Sequence, residues 1–171
     1  MYALPTVSGT VIGACMLQGA GASFPGDCER IVGSLKLNPD NALGLGPNAE
    51  YASALTHLSD RLNLSVKQGE AALTKARKPG DQATAAKDLA GDYDQAAASV
   101  GKLPGNPRAA AATAALAKAL RDQADAYRSL ANSASHNDRK GYDTAKDDVS
   151  TASDQVAAAF KQLSSLGYAT G

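Results

Sequence analysis

The cysteines are the residues whose chemistry would say most about this protein. Cys15 and Cys28 are its only two cysteines, and they enclose a segment of mostly small side chains, ACMLQGAGASFPGDC. Four kinds of site use such residues: a metal centre, a redox-active thiol pair, a lipid-attachment cysteine and a disulfide bond. Each kind requires a different pattern of neighbouring residues.

A metal centre and a redox-active pair both lack the residues that they need. Structural zinc sites take four Cys or His ligands at short spacings, whereas the two histidines, His57 and His136, lie far from both cysteines in the sequence. Redox-active pairs have the spacing C-x-x-C, but here residues 16–27 separate the cysteines. We therefore expect neither a metal ion nor another cofactor.

The sequence IGAC, which ends at Cys15, is similar to a bacterial lipid-attachment motif. A secretory signal begins with basic residues and continues with a sustained apolar run. In this chain the first basic residue is Arg30, and Pro5, Thr6 and Ser8 dilute the apolar stretch. Lipid attachment is therefore disfavoured.

A disulfide between Cys15 and Cys28 is the preferred interpretation, and two free buried thiols remain the alternative. Such a bond would staple a segment that is too poor in apolar residues to bury much surface by itself. Closing a loop of this size contributes about 3 kcal/mol in the chain-entropy model. Disulfides persist in oxidising compartments, so this bond predicts an extracytoplasmic protein, either tethered to the membrane or secreted.

Other residues with reactive side chains do not form a catalytic pattern. His57 lies off the apolar stripe of the first helix and His136 lies in the link between the third and fourth helices, so both are expected on the surface. Neither has a partner for a nucleophile–base pair. Asp143 and Asp147 have the i, i+4 spacing of one helix face, but with Lys146 beside them a solvated charged face is favoured over a cation site. No phosphate-binding loop or hydrolase motif occurs. The sequence predicts a chain without catalytic residues.

Composition and charge restrict the possible partners and divide the chain. Lys+Arg and Asp+Glu both number 17, so zero net charge gives no electrostatic reason to expect nucleic acid or an anionic membrane surface. Residues 1–46 carry few charges, whereas 47–171 are densely charged and rich in alanine. We therefore predict an N-terminal strapped segment, 1–46, and a helical bundle, 47–171, within one domain overall.

Four amphipathic helices are predicted beyond Pro47, because apolar residues recur at spacings of three and four. They cover about 48–77, 81 to the break at 103–105, 106–134 and 138–165. The last helix has the clearest apolar seam: Tyr142, Ala145, Val149, Ala152, Val156, Ala159, Leu163 and Leu166. Short connections favour antiparallel neighbours. The expected fold class is all-α, an antiparallel four-helix bundle with an irregular, disulfide-stapled N-terminal segment.

Two features predict weak self-association. The third helix begins with RAAAATAALAKAL, where small side chains permit close approach on two sides, and Leu64 lies away from the apolar stripe of the first helix. A homodimer could use either surface. The alternative is that alanine serves only to favour helix.

The Cys15 and Cys28 pair, the alanine-rich helices EYASALTHLSDRL and LAKALRDQADAYRSLA, and the terminal QLSSLGY together suggest a family. They resemble the extracytoplasmic sensor domains of actinobacterial, especially mycobacterial, membrane-anchored Ser/Thr protein kinases. The resemblance implies a non-catalytic signal-transduction domain that binds an unknown ligand or protein and is tethered by a membrane helix outside this sequence. Kinase motifs are absent here, so no catalytic residue is carried over. The alternatives are a secreted or lipid-anchored helical cell-envelope protein and a carrier of a small apolar ligand.

Overall fold

The computed structural model describes residues 2–6, 9–13, 30, 47–104, 106 and 108–169. The chain divides into two compact units, Met1–Gly46 and Pro47–Gly171. Cys15 and Cys28 lie outside the described residues, so their disulfide stays a prediction.

A β-hairpin forms near the N-terminus, where the sequence predicts a mostly irregular segment. Strands β1 (Tyr2–Thr6) and β2 (Gly9–Gly13) pair antiparallel along their full lengths. The irregular interpretation is wrong for these residues, because the two glycines of β2 lie at its ends and do not interrupt it. Between them, Thr-Val-Ile is a β-branched run that favours a strand, and the two-residue separation of the strands suits a tight hairpin.

The described part of the second unit is helical, as predicted, and its elements are four long α-helices. They are α1 (Ala49–Lys75), α2 (Pro79–Val100), α3 (Ala110–Ser135) and α4 (Arg139–Ser165).

Two helix starts differ from the predicted ones. Helix α2 begins at Pro79 rather than at Asp81, because proline at the first helical position lacks only an N–H that would have no partner in the helix. Helix α3 begins later than predicted, since Asn106 starts a separate turn in which its carbonyl accepts from the Ala109 N–H at 3.0 Å.

The ends of α4 show why the sequence places it so clearly. Asp138 caps its first turn, accepting a hydrogen bond from the Gly141 N–H at 3.0 Å. At the other end Gly167 adopts a positive φ of 90°, and the Tyr168 N–H returns to the Leu163 carbonyl at 3.3 Å. This is a Schellman ending, in which glycine is favoured because it has no Cβ. The predicted end of this helix at about residue 165 is confirmed.

Consecutive helices pack closely and run antiparallel, whereas α1 and α4 approach each other much less closely. Helix α1 approaches α2 closely at Gly69, where an added Cβ would be 2.5 Å from Leu89 Cδ2. The core consists mainly of leucine, alanine and tyrosine, and none of the predicted seam residues of α4 is exposed. The looser α1–α4 side leaves room for a cleft.

Tyr168 ties together one end of the bundle. Its hydroxyl accepts from the Asn48 N–H at 3.1 Å and from the side-chain amide of Asn106. Its ring meets Tyr51 edge-on, with centroids 4.8 Å apart, and the Tyr51 hydroxyl lies 2.6 Å from Thr113 Oγ1. The start of α1, the turn before α3 and the tail after α4 are thereby held at one point.

Candidate ligand-binding cleft

A cleft of about 550 Å³ lies between α1 and α4, over a floor that α2 and α3 provide. The floor side chains are buried or nearly so: Tyr93, Gln123, Tyr127 and Leu130. The walls include Glu70, Leu73 and Thr74 from α1, and Tyr142, Lys146, Val149, Ser150, Ser153 and Asp154 from α4. The floor is therefore aromatic and aliphatic except for one buried amide, whereas most of the wall residues are polar.

The central part of the floor is a stacked tyrosine pair. The rings of Tyr93 and Tyr127 are nearly parallel, with an interplanar angle of 17° and centroids 5.6 Å apart. The apolar periodicity of α2 and α3 predicts both as core residues, and both are buried in the core. Each contributes a large apolar surface and one polar hydroxyl.

The two hydroxyls remain protonated well above neutral pH. Burial raises the pKa of Tyr127 to about 12, and the negative charge of Glu70 adds to the effect, while a hydrogen bond from Gln123 opposes it. Burial also raises the pKa of Tyr93, with further contributions from Tyr127 and Glu70. Both phenols can therefore donate and accept hydrogen bonds at the floor of the cleft.

Gln123 is a buried polar side chain whose bonding is incomplete. It is 1% exposed, and its Oε1 atom has no hydrogen-bond partner within the part of the chain that the structure describes. Its amide bonds the Tyr127 hydroxyl. The amide nitrogen therefore has a partner, and Oε1 is the unpartnered atom. Such a group costs about 1–3 kcal/mol.

We expect the stability of the protein to fall as the pH rises above about 10. The pKa values of Tyr93 and Tyr127 are raised in the folded state, so the unfolded chain releases these protons first. Since the folded state then binds more protons than the unfolded one, its free energy of unfolding decreases until the folded tyrosines also ionise. Melting temperatures between about pH 9 and pH 11.5 test this. The decrease should be smaller in Tyr127→Phe, and an equal decrease would contradict the assignment.

The histidines and aspartates that the sequence singles out for possible chemistry are not among the residues that line this cleft. His57 and His136 are exposed, and His136 Nδ1 lies 2.9 Å from the Asn132 carbonyl near the end of α3. Asp143 and Asp147 are exposed on α4. Across the described ranges, no group of three or more His, Cys, Asp or Glu side chains could hold a metal ion.

Sequence reasoning missed Gln123 and Glu70, although the first has a recognisable signal. Gln123 follows Leu120 by three residues and precedes Tyr127 by four, which is the spacing of the apolar stripe of α3. A polar residue at such a position indicates a buried polar group. Glu70 has no comparable signal, because its importance depends on the helices that lie opposite.

The predicted association surfaces are partly used inside the bundle. In the alanine-rich start of α3, Ala112, Leu116 and Ala119 are buried in the core. Ala111 remains exposed, and Leu64 on α1 is 60% exposed. Part of each predicted surface therefore remains exposed, and the weak self-association stays a prediction.

The chain matches no protein-family model, no curated protein and no solved structure. None of the helices that the structure describes is long and apolar enough to cross a membrane. The resemblance to kinase sensor domains therefore stays a prediction, and the cleft is the basis for a functional proposal.

Proposed function

We propose that this chain is a non-catalytic ligand-binding domain, a sensor whose small-molecule ligand occupies the cleft between α1 and α4. The unpartnered Oε1 of Gln123 carries the proposal, because a ligand with a hydrogen-bond donor would supply the missing partner. The terminal torsion of glutamine is soft, so the amide can turn toward the ligand without a backbone change. The cleft volume of about 550 Å³ is within the range of small-molecule sites.

The packing of the bundle suggests how binding would produce a signal. Helices α1 and α4 are in less close contact than the consecutive pairs, so a ligand that touches both would favour their approach. A ligand shifts such an equilibrium only by its differential affinity for the two arrangements. In the proposed sensor, this shift would change contacts with a partner protein or a second copy of the chain.

The resemblance adds an extracytoplasmic location and a tethered Ser/Thr protein kinase to the proposal. The predicted disulfide between Cys15 and Cys28 supports an extracytoplasmic location, because disulfides persist in oxidising compartments. A carrier of an apolar ligand is the second candidate, favoured by the apolar lining that Leu73, Leu130 and Val149 contribute.

A fragment screen by amide NMR spectroscopy tests the proposed function. Binding fragments should shift the amide signals of Leu73, Gln123 and Val149, which come from three different helices around the cleft. Ser150→Phe should abolish these shifts, since Ser150 is an exposed wall residue and its replacement fills the cleft without disturbing the core. Thr151→Phe is the matched control, because Thr151 is the next residue, is also exposed and does not line the cleft. A library that shifts no cleft amide would overturn the proposal.

A further inference from the structure

We infer that the ligand of this cleft is a small organic cation, an ammonium group on an aromatic or aliphatic body. This inference rests on the proposed function and adds the ligand class. It is carried by two acceptors that line the same cleft from different helices, the buried Gln123 Oε1 on α3 and the Glu70 carboxylate on α1, together with the aromatic lining of that cleft.

The hydrogen-bonding groups of the cleft need a donor. Gln123 Oε1 has no partner, and the Glu70 carboxylate takes part in no ion pair with the residues that the structure describes. An ammonium group has three N–H donors and no acceptor. It therefore satisfies the carboxylate and the amide oxygen together, and its third donor can meet a tyrosine hydroxyl.

The charges that line the cleft favour a cation over an anion. Glu70 and Asp154 lie on opposite walls, and Lys146 is the lining residue of opposite charge. An anionic ligand would approach two carboxylates, one of which already acts on the hydroxyls of Tyr93 and Tyr127. A cation is attracted to Glu70 and to the electron-rich faces of aromatic rings.

The body of the ligand is defined by the remaining lining. Leu73, Leu130, Val149 and the ring of Tyr142 contribute aliphatic and aromatic surface around the polar groups. Burial of an apolar body against these side chains contributes about 25 cal/mol per Å². A bare metal ion would gain nothing from this surface.

A matched series of three compounds on the same aromatic body tests the inference: 2-phenylethylammonium, 2-phenylethanol and phenylacetate. Isothermal titration of the whole chain should show the ammonium compound binding roughly tenfold more tightly than the alcohol, with phenylacetate weakest. Glu70→Gln should weaken ammonium binding about fivefold or more and leave the alcohol unchanged. Glu50→Gln is the control, since Glu50 is an exposed glutamate in the first turn of the same helix and outside the cleft.

The outcomes separate this inference from the proposed function. If the alcohol or phenylacetate binds as tightly as the ammonium compound, or Glu70→Gln leaves ammonium affinity intact, the ligand class is wrong and the cleft remains a binding site. The same holds if other fragments shift the cleft amides and none of the three compounds binds. If no fragment and none of the three compounds shifts them, the proposed function and the inference both fall.

Discussion

Leu163→Ala is expected to lower the free energy of unfolding by about 3 kcal/mol. Leu163 is 0% exposed, and the other buried residues of α4 are alanines: Ala145, Ala152 and Ala159. It is therefore the large fully buried side chain that fixes α4 to the core. Its truncation removes apolar contacts and leaves a cavity. The other buried side chains of α4 are short alanines, so the surrounding structure can fill this cavity only in part.

Urea denaturation followed by far-UV circular dichroism measures this loss, and Leu64→Ala is the matched control. Leu64 is also a helical leucine, but it is 60% exposed, so the same truncation should change stability by no more than about 0.5 kcal/mol. The denaturant dependence should stay the same in both variants, because the surface exposed on unfolding hardly changes. Equal losses for the two variants would contradict the packing of α4 described above.

The contrast between these leucines also shows what the sequence could predict. Apolar residues at spacings of three and four place Leu163 on the seam of α4 and Leu64 off the stripe of α1, because a helix presents one face per 3.6 residues. Local spacing therefore predicts which side chains are buried in each helix. It is less informative at Pro79, where the same residue fits a helix end and a helix start.

The hairpin and the cleft could not be predicted in the same way. The glycines of β2 look like interruptions until the pairing with β1 places them at the strand ends. The cleft depends on how far α1 lies from α4, which local sequence does not determine. Gln123 is recognisable as a polar residue on an apolar stripe, but only the packed helices show that Oε1 lacks a partner and that Glu70 lies near the Tyr127 hydroxyl.

Tyr168→Ala is expected to cost about 4 kcal/mol, at least as much as the loss of Leu163. Tyr168 is 3% exposed although it follows the last turn of α4. Its removal takes away the edge-on contact with Tyr51 and the common acceptor for Asn48 and Asn106. Three chain segments lose their shared contact at once, so both burial and hydrogen bonding contribute to the loss.

Tyr168→Phe separates these two contributions, because it keeps the ring and removes the hydroxyl. The Asn48 N–H and the Asn106 amide would lose their acceptor, for an expected loss of about 1–3 kcal/mol by urea denaturation. Tyr142→Phe is the matched control, since the half-buried Tyr142 makes no hydrogen bond through its hydroxyl to the residues that the structure describes. Its stability should change by no more than about 0.5 kcal/mol. If Tyr168→Phe is as stable as Tyr142→Phe, the hydroxyl of Tyr168 does not join the helix ends.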